Sequence, residues 1–374
     1  MNKNTIILLG SSPDAAVGGA GKIIGSYINH YLKNEIKHFF IPIHTMKVKR
    51  IYRILPIIFS IFKSINIRFK YSKDIFVIHH HHTTILDLFT FSIIKTILGV
   101  DRKKCFITFH NPKHFQNIKL LGELKNYTFS DGIFKGLFFK KILFKSYFQF
   151  LSLLSGNFHF LNSINYKIVK NLIAKNTKVK ILPNPLSENQ KLFLIKNLKT
   201  NIKDNISENK IIGTYSVMRK GKRLDRAIKM LTYLPKNYSL IIGGKGSEES
   251  KLKKLVLDLN LNSRVKFIGW MDEEMKRKFF KSIDLFIITS DADTQSLVFL
   301  EAIINCKPVI SVPNPIFKEL YPESICAIYS KEPNFTSLAD EIISFKEEKL
   351  SYKKSSKYIL NQQKSYSYAE NLLS

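Results

Sequence analysis

The chain has 374 residues, 45% of them apolar, with 59 Lys and Arg against 29 Asp and Glu, a net charge of +30. That length exceeds what one hydrophobic core usually organises and the apolar share excludes a disordered chain, so two domains are expected. Cys105, Cys306 and Cys326 are far apart and odd in number, which argues against a disulfide framework or a zinc cluster, and no apolar run reaches the roughly 18 residues of a membrane span.

The opening MNKNTIILLGSS holds an apolar run too short for a signal peptide and without a cleavage pattern; it reads as a buried first strand. A glycine-rich turn with Gly18, Gly19 and Gly21 and a helix over 22–33 follow. Glycines let a backbone approach a ligand, and helix N-terminal amides favour an anion. The segment fails the P-loop pattern at Ala16 and Ile23 and lacks G-x-G-x-x-G spacing, so a plain surface turn is the other reading.

Residues 47–73 and 132–155 interleave Lys or Arg with Phe, Leu, Ile and Tyr at helical spacing. That composition suits helices lying in a membrane interface, and equally core helices with solvated lysines. Strands are expected at 73–79 and 104–110, followed by histidines: the run His79 to His82, and His110. Neighbouring imidazoles on a strand point to opposite faces. His79, His81 and His82 are expected at a strand's carboxyl end on the acceptor side of a cleft. A chelating cluster is disfavoured because no carboxylate or cysteine lies close in sequence.

The Asn- and Lys-rich stretch 184–210 reads as the linker. Beyond it, strands expected at 210–217, 238–244, 264–269, 284–290 and 307–312 alternate with helices at 223–234, 248–260, 272–283 and 296–305. Such alternation means βαβ units and a parallel, doubly wound sheet. The expected fold is therefore α/β, with two Rossmann-like domains, residues 1–185 and residues 186–350, facing across a cleft. Ligands bind such sheets beyond the carboxyl ends of the strands.

Two segments fall there. Arg219, Lys220, Lys222 and Arg223 follow a strand and could neutralise a diphosphate, or form an ordinary solvated turn. SDADTQSLVFLEA (290–302) carries Asp293 in a loop and Glu301 on a helix bordered by Leu297, Leu300 and Ile304. A carboxylate beside an apolar face needs a partner or a ligand. Helical rise puts the two acids about 8 to 12 Å apart, with the amides of Gln295, Ser296 and Leu297 between them for a phosphate. Asp291 and Asp293 imitate a metal-binding D-x-D, the minor reading because alternate acids point apart.

The charge is uneven: residues 1–187 hold 28 Lys and Arg against 7 Asp and Glu, a net +21, and the remainder 31 against 22, a net +9. The first half is expected to face a polyanion, unless the lysines only reflect compositional bias.

Together these segments resemble the retaining glycosyltransferases of family 4, which have the GT-B fold. The family's two acids, with seven residues between them and the second in Leu-Glu-Ala, match SDADTQSLVFLEA, with Asp293 for the first Glu and Thr294-Gln295-Ser296 for the glycine-containing turn. The resemblance implies that Asp293 contacts the donor sugar and Glu301 the nucleotide ribose. It implies that Lys222 and, displaced from the strict register held by Val217, Arg219 hold the diphosphate. Gly269 and Trp270 of VKFIGWM would contact the base and Thr294, Gln295, Ser296 and Leu297 the donor; Gly18 and Gly19 of GGAG are similar to the family's first glycine loop, His110 of TFHN to its cleft histidine, and the closing YSYAE to a C-terminal helix, here 351–374, that returns to the first domain.

The activity so implied is transfer of a sugar from a nucleotide-diphosphate donor, a UDP-sugar favoured, without metal or other cofactor. The acceptor would be a glycan or lipid-linked oligosaccharide of bacterial surface polysaccharide assembly. The expected location is cytoplasmic, peripheral on the anionic inner leaflet of the cell membrane, with no nucleic acid as partner. A GT-B-fold sugar-nucleotide epimerase is the enzymatic rival, and a basic nucleic-acid-binding protein the rival of another class.

Overall fold

The structure, a computed structural model, describes residues 4–11, 19–33, 35–44, 54–82, 85–110, 137–199, 209–291, 293, 295–345 and 350–364. The chain divides into one unit of Met1–Ser187 with Lys364–Ser374, and a second of Glu188–Gln363. Each unit is built on a six-stranded sheet whose strands all pair in parallel.

In the first unit the strands are β1 (Asn4–Ser11), β2 (His38–His44), β3 (Ile75–His82), β4 (Cys105–Phe109), β5 (Asn157–Phe160) and β6 (Lys178–Ile181), in the order β2-β1-β3-β4-β5-β6. Its helices are α1 (Gly19–Lys33), α2 (Ile54–Lys70), α3 (Ile85–Leu98), α4 (Leu137–Leu154) and α5 (Ser163–Val169). Ile7, Leu9, Ile78, Ile107 and Phe158 form a core with Ile67 of α2, Leu88, Phe91 and Ile94 of α3, and Phe148 and Leu151 of α4. Three connections thus cover one sheet face, as right-handed crossovers stepping in one direction require. α1 covers the other, where its Tyr27 meets His79 edge-on at 4.9 Å. Strands buried on both faces read as unbroken apolar runs, which explains IILL in β1 and IFVI in β3.

The second unit has β7 (Lys210–Tyr215), β8 (Tyr238–Gly243), β9 (Val265–Gly269), β10 (Leu285–Ile288), β11 (Val309–Ser311) and β12 (Ile328–Tyr329), in the order β12-β11-β10-β7-β8-β9. Its helices are α6 (Glu188–Lys199), α7 (Leu224–Met230), α8 (Glu249–Asp258), α9 (Glu273–Ser282), α10 (Leu297–Ile304), α11 (Pro315–Leu320), α12 (Phe335–Ile343) and α13 (Tyr352–Lys364). Every strand and helix expected between 210 and 312 is present within a few residues.

Two expectations change. The stretch 184–210 is not all linker: residues 188–199 form α6, whose Asn197 donates from Nδ2 to the Ile304 carbonyl at 2.9 Å. The C-terminal helix does not leave at residue 351. α13 packs within the second unit, where Gln362 donates to the Leu320 carbonyl at 3.1 Å, and residues 365–374 of the expected returning helix lie outside the described residues.

Both sheets place ligand chemistry by their order. Where consecutive connections run to opposite sides of a strand, the crevice beyond the carboxyl ends stays open. That point lies between β1 and β3 in the first unit and between β7 and β10 in the second.

Candidate functional site

At the β7–β10 point the two segments singled out in the sequence meet. After β7 the chain makes a 3-10 turn over Lys220–Lys222, and Arg223 enters the left-handed region (φ 49°) before α7 starts. The loop after β10 is sewn to this turn. Thr289 donates to the Lys222 carbonyl at 2.9 Å, the Asp291 amide to the Gly221 carbonyl at 3.2 Å, and Arg226 to the Thr289 carbonyl at 3.2 Å.

Asp291 is the hub of this seam: Arg226 holds one carboxylate oxygen and Arg223 the other at 3.2 Å, while Arg223 also grips Asp225 through two bonds. With both oxygens committed to guanidinium groups, Asp291 is structural, which removes the D-x-D reading for this pair of acids. Among the described residues no group of three His, Cys, Asp or Glu could hold a metal ion.

Lys222 reaches Asp293 at 2.7 Å, and both side chains are about one-sixth exposed (15% and 16%). A shared cation beside a half-buried carboxylate is strong because little water screens it. Arg219 does not join this pair. It is exposed and lines a groove of about 460 Å³ with Lys220, Lys251, Lys254 and Glu248, between the turn and α8. Lys222 is thus brought to Asp293, while Arg219 lies on another wall.

Glu301 stands on α10 among buried Leu300, Ala302 and Ile304, as its sequence position required. Its partner is Lys276 of α9, at 3.6 Å, a lysine only 9% exposed that also pairs with Glu273 at 2.9 Å. The Lys276 ammonium lies 5.8 Å from the ring centre of Tyr215, the last residue of β7. Sequence reasoning missed Lys276, because nothing local marks one lysine of EEMKRKFFKS as turned inward.

Ser296 precedes α10 without capping it by its side chain, and its carbonyl accepts from Tyr321 at 3.1 Å. The first-turn amides, with Gln295 and Leu297, therefore lie between the two acids in the chain, the setting in which an anion is favoured. Thr294 lies outside the described residues.

A second wall, also missed, is the GGKG segment 243–246. Gly244 adopts φ 109°, and a Cβ there would stand 1.9 Å from the Ser216 carbonyl oxygen; at Gly246 it would stand 2.3 Å from that of Met218. The Met218 amide donates to the Lys245 carbonyl at 2.9 Å and the Gly244 amide to the Gly269 carbonyl at 2.6 Å. These contacts tie the basic turn to Gly269, itself left-handed at φ 69°, and to Trp270, which is 43% exposed. A glycine doublet ending a strand was the available signal.

In the first unit the histidines form an internal network. His79 Nε2 lies 2.8 Å from Thr108 Oγ1, which lies 3.0 Å from His159 Nδ1, and His159 Nε2 lies 2.8 Å from the Leu182 carbonyl. Burial lowers the pKa of each ring; His159 comes down to about 4, against a small opposing effect of the Leu182 carbonyl, and neighbouring imidazoles add to the lowering of His79. The rings are then neutral and the direction of every bond follows. The carbonyl can only accept, so His159 donates from Nε2 and accepts at Nδ1; Thr108 spends its one proton there, and His79 donates to Thr108.

His81 Nδ1 meets His110 Nε2 at 2.7 Å with the rings stacked at 4.9 Å. Burial, with help from His159 and His80, brings His110 down to about 3. His80 faces the other way, stacked on Phe91 at 4.9 Å, as alternation along a strand demands. His79 and His81 are buried (0% and 1% exposed), so they line no open floor for an acceptor. They support half-buried His110 from behind instead. The sequence reading erred because it ended the strand at 79, whereas β3 runs to His82 and carries the run into the sheet. The His82 side chain and Gly18 lie outside the description, and Gly19 is the first residue of α1.

Residues 197–364 match the model of the family "Glycosyl transferases group 1". The match lies almost wholly in the second unit and includes both acids, Lys222, Lys276 and the glycine wall. An O-antigen biosynthesis glycosyltransferase of Escherichia coli, WclY, is 31% identical over 178 residues, 47% of this chain and 48% of that protein. A second protein of that name is 30% identical over 245 residues, 62% of this chain and 64% of its own length. The chain thus spans about half to just under two-thirds of the curated relatives that it matches.

Among solved structures, HepE of Anabaena in complex with UDP superposes with a TM-score of 0.65 at 16% identity, over 98% of this chain and 99% of that one. Sucrose-phosphate synthase from Thermosynechococcus elongatus gives 0.69 at 12% identity, over 99% and 96%. At such identities the likeness concerns the fold, and the fold of the two units is that of GT-B glycosyltransferases.

Proposed function

We propose that the chain is a retaining glycosyltransferase of family 4 that moves a sugar from a nucleotide-diphosphate donor to a glycan or lipid-linked acceptor in bacterial surface-polysaccharide assembly. The observation that carries this reading is the joining of Lys222 to Asp293 at the β7–β10 point of a group 1 domain, with Glu301 on the next helix. The relatives from O-antigen and lipopolysaccharide core biosynthesis point to the same class of product.

In this reading Glu301 accepts hydrogen bonds from the ribose, Asp293 from the donor sugar, and the Gly269–Trp270 backbone meets the base. The bond from the anomeric carbon to the diphosphate breaks and its electron pair stays with phosphate, where Lys222 and the first amides of α10 offset the new charge. Arg219 is exposed, and a role beside Lys222 requires its side chain to swing out of the groove along α8. The acceptor hydroxyl attacks from the same face, and its proton goes to the leaving phosphate oxygen. No step calls for a metal ion. In the same reading His110, a neutral imidazole backed by His81, hydrogen-bonds a sugar hydroxyl without adding charge.

A UDP-sugar is the favoured donor, in line with the UDP bound by HepE. Attachment is peripheral, at the anionic inner leaflet. Titrating the protein with UDP-, GDP- and ADP-sugars, followed by the fluorescence of Trp270, the chain's single tryptophan, tests donor binding. Turnover with and without EDTA tests the rest. Absence of both binding and turnover across the panel overturns the proposal, and loss of turnover in EDTA overturns metal independence.

A further inference from the structure

The three helices on one face of the first sheet bury apolar and small polar residues inward and also expose large apolar residues outward. On α2 the inward row is Ser60, Ser64 and Ile67, with both serines fully buried, while Phe59, Phe62 and Phe69 face out at 58%, 66% and 81% exposure. On α3 Asp87 and Thr90 are buried, and Phe89 and Ile93 are exposed. On α4 Ser152 is buried, and Phe150 and Leu153 are exposed. The inward serines are satisfied along the backbone: Ser60 donates to the Pro42 carbonyl, Ser64 to that of Ser60 and Ser152 to that of Phe148.

A helix against water turns its apolar stripe to the core. Here each helix presents apolar residues to the core, Ile67, Leu88, Phe91, Phe148 and Leu151 among them, and exposes further large apolar residues on the outside. Single exposed apolar residues are ordinary, but seven on three helices over one core form a patch.

The charge around the patch has one sign. α2 and α4 contain no Asp or Glu, and the single acid of α3, Asp87, is buried. Lys63, Arg68, Lys70, Lys95 and Lys145 lie on the same helices. Aromatic rings interleaved with cations and no exposed acid complement a surface that is apolar within and uniformly anionic at its edge. A protein partner would meet that need only with an equally one-signed face.

We infer that the α2–α3–α4 face is a membrane-docking surface for anionic lipid, with Phe59, Phe62 and Phe89 entering the headgroup boundary and the lysines pairing with lipid phosphates. The inference rests on the proposed transferase with a lipid-linked acceptor for its use, and it includes α3, which its composition alone did not mark.

The test uses the full chain without any nucleotide sugar, so its outcome is separate from that of the donor assay. Flotation with phosphatidylglycerol-containing vesicles is compared with flotation on phosphatidylcholine vesicles. Binding to the anionic vesicles is expected, weakened by salt, and the F59S/F62S/F89S variant should partition at least about a hundredfold less. A second variant, F62W/W270F, should lose its fluorescence to brominated lipid in the anionic vesicles. Equal partitioning of the serine variant and the parent, or no quenching at position 62, overturns the inference. So does a self-association that the serine substitutions abolish while vesicle binding persists, since the face would then bind a second copy.

Discussion

Acidification from pH 7 to pH 5 should destabilise the first unit far more than the second. All ten histidines of the chain lie between His30 and His159, and residues 188–374 contain none. His80 and His159 are each brought down to about 4 by burial, for His80 against a weak opposing pull from Asp87. In the unfolded chain they titrate near the ordinary value of 6.5. Between those values the unfolded state binds the extra proton, so stability is complete above about 6.5 and falls as the pH drops towards 4. At pH 5 the linkage relation gives a loss of about 2 kcal/mol for each ring, or about 4 kcal/mol for the two.

The bonding explains why the protein cannot relax around the charge. A proton added to His159 would have to enter at Nδ1, where the Thr108 hydroxyl already donates, so that hydroxyl would have to turn and its buried proton find another acceptor. Against a domain stability of about 5–15 kcal/mol this loss is large, and it corresponds to a drop of roughly 8–16 °C in Tm for a domain of this size. Scanning calorimetry of the full chain at both pH values, with limited proteolysis and peptide mapping to assign the transitions, measures it. Equal shifts in the two transitions, or a larger one in the second unit, would refute the reasoning.

The glycine wall gives a stability test with its own control. Gly244→Ala should cost at least about 3 kcal/mol in denaturant unfolding, because the left-handed backbone and the Ser216 carbonyl both oppose a Cβ, whereas Gly221→Ala, with no atom within 4 Å, should stay within about 0.5 kcal/mol. The Lys222–Asp293 pair should show coupling: K222M and D293N each lower kcat/KM for the donor by at least about a hundredfold, and the double variant falls short of the product by about 1–3 kcal/mol. Independent effects would mean that the pair does not act as a unit. Glu301→Ala should weaken binding of the free nucleoside diphosphate by at least about tenfold, while Asp293→Ala leaves that affinity nearly unchanged and lowers kcat. Trp270 quenching and steady-state kinetics separate the two, and an unchanged affinity for Glu301→Ala removes its ribose role. Lys276→Met removes a cation beside Glu301 and should also reduce nucleotide affinity, which the same titration reads.

The alternation of β-branched runs with amphipathic helices between 210 and 312 was legible because each element there follows its own period, two residues for strands and 3.6 for helices. So was the placement of Asp293 beyond a strand and of Glu301 against an apolar face, since both follow from where a strand ends and a helix turns. α6 was hidden because Asn- and Lys-rich composition resembles a linker until Asn197 finds the Ile304 carbonyl. The C-terminal helix was assigned too early because its docking depends on contacts with residues about forty positions away, such as that of Gln362 with Leu320.

By itself the sequence determined that there would be two parallel α/β sheets, that the net charge would weigh on the first half, and that two acids would flank the start of one helix. These are properties of local pattern and composition, which the chain carries wherever it folds. Only the tertiary structure decided which cation meets which acid, Lys222 for Asp293 and Lys276 for Glu301, and that Asp291 belongs to the scaffold. It alone turned His79 and His81 inward and the rings of α2 outward. Pairing of charges and the choice between core and surface depend on distances between residues remote in sequence, and those exist only once the strands are in register.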